Sequence, residues 1–98
     1  MESLAGKIIK YYSRIGVASV EISGCLELGD IIHIKGHTTN FEQTVDSMQI
    51  SHSQVSRVSK GDVAGIKVTD YVRKHDLVYR LKKGCSYQGA VVREKNKD

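Results

Sequence analysis

Leu28-Gly29-Asp30-Ile31-Ile32-His33-Ile34-Lys35-Gly36 and Lys60-Gly61-Asp62-Val63-Ala64-Gly65-Ile66-Lys67-Val68 state one pattern twice: a Gly-Asp turn that feeds an apolar strand. Glycine reaches positive φ without a steric penalty, and the aspartate carboxylate accepts hydrogen bonds from nearby backbone N–H groups. Gly29, Asp30, Gly61 and Asp62 are therefore read as fold-determining turn residues. As paired catalytic carboxylates, Asp30 and Asp62 lack a supporting base or nucleophile in their own segments.

Working outward from these turns, the rhythm stays at two. Gly6 to Ser13 is rich in β-branched and aromatic residues, and Arg14-Ile15-Gly16 connects it to Val17–Ile22, where Ala18, Val20 and Ile22 alternate with Ser19 and Glu21. That pattern predicts a first hairpin. Ile32 and Ile34 share one face of the third strand, opposite Ile31, His33 and Lys35. From Phe41 to Ile50 the rhythm changes phase, which predicts a β-bulge near Asp46-Ser47. Ser51 to Ser59 reads as a loop with one helical turn. A fifth strand follows, with Ala64, Ile66 and Val68 inward, and Leu77 to Leu81 is the sixth. No window carries helical spacing over a helix's length. The predicted fold is all-β, a small six-stranded closed or nearly closed β-barrel over residues 4–81. A basic C-terminal tail, 82–98, carries one extra edge strand at Ala90 to Arg93.

Composition bounds the function classes. The 98 residues suffice for one core. Fifteen basic against eleven acidic residues give a net charge of +4, and the tail holds Lys82, Lys83, Arg93, Lys95 and Lys97 against only Glu94 and Asp98. Cys25 and Cys85 have neither the density nor the spacing of a disulfide framework or a zinc half-site, so reduced thiols and a cytoplasmic location are expected. No apolar run approaches the roughly 18 residues of a membrane span, and no membrane partner is expected.

The order of these signals resembles domain II of the translational GTPases, the β-barrel that follows the G domain in elongation factor Tu. The resemblance runs through Gly6 to Ile9, Gly24, Gly29-Asp30-Ile31-Ile32-His33-Ile34, Val45 to Met48, Gly61-Asp62-Val63-Ala64-Gly65-Ile66, and Asp76 to Leu81. The stretch from Gly36 to Gln49 is similar to small free-standing translation elongation factor-like proteins. It is similar as well to the carboxy-terminal barrel of collagenase-like peptidases, as is Val72-Arg73-Lys74-His75-Asp76-Leu77-Val78. The chain has no Gly-x4-Gly-Lys-Ser/Thr loop, so no GTP site is expected.

The chemistry-bearing residues give little sign of catalysis. His33 and His37 are four apart, but on a strand entering a turn that spacing does not stack them, and no metal is expected at these or at His52 and His75. Neither cysteine has a partner motif and no serine sits in a Gly-x-Ser-x-Gly elbow. The sequence therefore predicts a module with no catalysis and no cofactor. Lys35, His37, Arg57, Arg73, Lys74, His75, Lys82 and Lys83 are the candidate phosphate contacts, with Tyr71 as a stacking surface. The resemblance to domain II barrels implies RNA or the ribosome as partner. The alternative is a protein-interaction module that packs against a separately encoded partner, such as a peptidase-like subunit, through Ile15, Val17, Ile31 and Tyr79. An exposed edge strand leaves the oligomeric state open.

Overall fold

The structure is a computed structural model and describes residues 3–81. Lys82, Lys83 and the expected edge strand at Ala90 to Arg93 lie outside the described residues. Ten strands and no helix occur within them: β1 Ser3–Tyr12, β2 Val17–Ile22, β3 Cys25–Glu27, β4 Ile31–Lys35, β5 Asn40–Thr44, β6 Met48–Ile50, β7 Ser53–Gln54, β8 Arg57–Ser59, β9 Val63–Lys67 and β10 Leu77–Arg80. Eight form one antiparallel sheet in the order β5-β4-β10-β1-β2-β9-β6-β7, and β3 pairs with β8 in a separate ribbon.

The all-β expectation stands, but no closed ladder occurs among the described residues: β5 and β7 are the two ends of the large sheet. A side chain spans part of the gap instead. The Gln43 amide on β5 donates from Nε2 to the Lys67 carbonyl at 2.9 Å and accepts from the Thr69 N–H at 2.8 Å. The sheet thus curls far enough for an amide to bridge strands that make no ladder with each other.

Two further expectations need correction. The phase change after Val45 is not a bulge in one strand. Residues 45–47 are a crossing, because β5 pairs with β4 while β6 pairs with β9. The polar stretch Ser51 to Ser59 holds no helical turn. It contains the tight β6–β7 hairpin, with Ile50 opposite Ser53, and then β8. These strands are too short for a two-residue rhythm to emerge from the sequence.

The inward positions of the alternation form one core, including Ile8, Val20, Ile22, Leu26, Ile32, Ile34, Met48, Ile66 and Val78. Each such side chain contributes about 1.5–3 kcal/mol relative to exposure. Leu26 and Val58 add the small ribbon to the same cluster.

Three turns are built alike. In Glu27–Asp30, Ser59–Asp62 and Arg73–Asp76, the fourth residue's N–H donates to the first residue's carbonyl at 3.1, 3.0 and 3.1 Å. In each, the first residue's N–H donates to the aspartate Oδ2, at 2.9, 3.0 and 2.8 Å. In each, the third residue is left-handed: Gly29 at φ 92°, Gly61 at 98° and His75 at 80°. The doublet seen in the sequence is a triplet, hidden at its third member because histidine stands where glycine stands in the other two.

Candidate functional site

Asp30 does more than hold its turn. Its carboxylate is buried and accepts from Arg80 Nε at 2.8 Å, while the Arg80 guanidinium also lies 4.0 Å from Glu27. Arg80 Nη1 donates to Cys25 Sγ at 3.1 Å. Cys25 is disulfide-bonded, which corrects the expectation of a reduced thiol. The chain's other cysteine, Cys85, lies outside the described residues. Buried charges persist only when paired and hydrogen-bonded, so this cluster fixes the start of β4 against β10 and β3.

The candidate basic residues do not form one surface. Lys35 ends β4 opposite Leu77, and Arg73, Lys74 and His75 form the turn just before Leu77. Gly36 abuts that turn closely: a Cβ there would lie 1.8 Å from Asp76 Oδ1. His37 follows in the exposed turn, so these five share one rim. Arg57 lies apart on β8 and pairs with Glu27 at 3.8 Å. Lys35 extends its ammonium over the Tyr79 ring, 5.2 Å from the centroid. Tyr71 is exposed and meets Tyr11 edge to face, with centroids 5.6 Å apart.

The four apolar candidates divide between two outer surfaces. Ile31 on β4 and Tyr79 on β10 join Leu4 on β1, because Leu4 is opposite Tyr79 and Tyr79 is opposite His33, two residues from Ile31. Ile15 and Val17 instead line a groove of about 520 Å³ on the outside of β2 and β9, together with Tyr12 and Val63. Leu4, Tyr12 and Val63 escaped the sequence reading because they stand at outward positions of an otherwise regular alternation. Their signal was an exposed large apolar residue repeated on neighbouring strands, visible only once the register is known.

No group of three or more His, Cys, Asp or Glu side chains placed to hold a metal occurs among the described residues. His33 Nε2 instead meets Asn40 Oδ1 across the β4–β5 pair.

The fold is that of an all-β domain already seen at the C-terminus of another protein. The C-terminal domain of a candidate U32 peptidase from Geobacillus thermoleovorans superposes with a TM-score of 0.76 at 17% identity, over 81% of this chain and 92% of that one. Its selenomethionine form gives 0.74. In sequence, the chain is 41% identical over 78 residues to an uncharacterized protease of Methanocaldococcus jannaschii. It is 42% and 44% identical over 84 and 80 residues to collagenases of Porphyromonas gingivalis. These matches cover 79 to 84% of this chain, which spans about a fifth of the length of those relatives, 19 to 23%. No protein-family model matches.

These relatives are homologues of the peptidase and collagenase kind. They overturn the expectation of a translation-factor-like, RNA-binding protein and agree with the resemblance to the carboxy-terminal barrel of collagenase-like peptidases.

Proposed function

We propose that this domain is a non-catalytic accessory module of a peptidase-type protein, packing against a peptidase-like body through the outer face of β1, β10 and β4. The observation that carries the reading is the alignment of nearly the whole domain with a fifth of proteins named as a protease and as collagenases. A segment of that size leaves the larger part of those proteins to hold the chemistry.

Leu4 and Ile31 are 46% and 48% exposed, and both adjoin the half-buried Tyr79. Removing an exposed apolar cluster from water favours association by roughly 25 cal/mol per Å² of apolar area. Lys35 over Tyr79 supplies a charged border to that face. Such an interface is apolar at its centre, and the complex persists at high salt.

Affinity capture with the 98-residue chain from the native extract, washed at high salt and analysed by mass spectrometry, tests the reading. The expected result is a peptidase-type polypeptide in stoichiometric yield. Recovery of no such polypeptide at any salt concentration overturns it.

A further inference from the structure

Gly65 is the described glycine that the fold constrains least, with neither a positive φ nor a backbone atom within 3.4 Å of where a Cβ would stand. Of the seven glycines described, Gly16, Gly29 and Gly61 have positive φ, and at Gly6, Gly24 and Gly36 a Cβ would come within 2.6, 2.7 and 1.8 Å of another atom. Gly65 has a negative φ and the milder constraint: a Cβ there would press on a Val17 methyl at 3.3 Å, a side-chain contact that must give by a few tenths of an ångström. Glycine inside a strand costs about 0.5–1 kcal/mol relative to alanine, and such a residue often marks close approach by a ligand or another backbone.

Gly65 points outward, since Ala64 and Ile66 on either side of it are buried. It pairs with Ser19, so the two smallest outward residues of β9 and β2 lie side by side as the floor of the groove. Tyr12, Ile15, Val17 and Val63 wall it, with Ile15 64% exposed. The β6–β7 turn borders the same groove, and its two central residues, Ser51 and His52, are left-handed at φ 49° and 68°. Asn-Gly is the usual occupant of such a turn, and strain of this kind concentrates at binding sites.

The charge around the groove has one dominant sign. Lys10 lies over the Tyr12 ring at 5.0 Å, Lys67 is opposite Val17, and Arg14 precedes Ile15 in the turn. Glu21, opposite Val63, is an acidic residue beside the groove.

We infer that this groove binds an extended polypeptide segment carrying apolar and acidic side chains. The segment's backbone passes over Ser19 and Gly65, its apolar side chains meet the walls, and its carboxylates meet Lys10, Arg14 and Lys67. The inference rests on the accessory-module reading in that the bound segment would belong to a polypeptide handled by the peptidase body. Its test does not need that body.

An acetylated octapeptide alternating leucine and glutamate is titrated into the 98-residue chain, followed by amide NMR shifts, beside a counterpart with lysine for each glutamate. The expected result is shifts centred on Ser19, Gln49 and Gly65, with the glutamate peptide at least fivefold tighter than the lysine peptide. Gly65→Leu and, on an exposed wall that the fold does not need, Ile15→Glu each weaken binding at least tenfold while the remaining spectrum keeps its dispersion. Equal affinity for both peptides, shifts centred elsewhere, or no shifts at millimolar peptide overturns the inference. Failure to capture a peptidase body, with these shifts present, would count against the accessory-module reading alone.

Discussion

The turn at Glu27–Asp30 and the turn at Arg73–Asp76 share two hydrogen bonds, a left-handed third residue and a closing aspartate, and differ at their first three side chains. Glycine occupies the left-handed position in the first and His75 in the second. The difference teaches that the aspartate, rather than the glycine, is the constant element. Its carboxylate holds the first residue's N–H in all three turns. A histidine tolerates the left-handed region better than most residues but still carries a cost there. The turns differ also in burial: Asp30 and Asp76 are 2% and 4% exposed, while Asp62 is half-buried.

That gradient orders the consequences of breaking each turn. Asp30→Ala leaves the buried Arg80 without its main partner, and the expected loss is about 3–5 kcal/mol in urea unfolding. A loss below that of Asp62→Ala would contradict the central place given to the Asp30–Arg80 pair. Asp76→Ala removes a buried acceptor and empties the space against Gly36, for an expected loss of about 1–3 kcal/mol. Asp62→Ala, at the least buried turn, is expected to cost about 1 kcal/mol by the same denaturation. His75→Gly, the smallest effect, raises stability by about 0.5–1 kcal/mol, because relief of the left-handed strain outweighs the extra freedom of the unfolded chain. A decrease there would mean that the His75 ring makes contacts worth more than the strain.

The same comparison marks how much of the molecule its sequence disclosed. The Gly-Asp doublets and the alternation of Val17–Ile22, Ile31–Lys35 and Val63–Lys67 were legible because both signals are local. The third turn was not, since His75 carries no turn signature. The strands β3, β6, β7 and β8 are two or three residues long, below the length at which a period can be read. The bridging role of Gln43 depends on a contact 24 residues away in the chain.

The two outer surfaces were half legible. Ile15, Val17, Ile31 and Tyr79 are outward apolar residues, as their positions suggested. Their division into a β4–β10–β1 face and a β2–β9 groove follows from strand order, which alternation alone does not give. The basic rim shows the converse. Lys35, His37, Arg73, Lys74 and His75 do gather at one end of β4 and β10, while Arg57 lies apart on β8. The chemistry of a side chain limits what a surface can bind without selecting the partner.

The two faces also separate the accessory-module reading from its nearest competitor, docking through the groove. Capture of the peptidase-type polypeptide from native extract at high salt, run in parallel with Ile31→Glu and Ile15→Glu versions of the 98-residue chain, decides between them. Both substitutions are at exposed positions, so each variant is expected to keep the fold. The account predicts that Ile31→Glu reduces recovery of the peptidase body at least tenfold, about 1.4 kcal/mol, while Ile15→Glu leaves it unchanged. Recovery unaffected by Ile31→Glu but lost with Ile15→Glu would contradict the account.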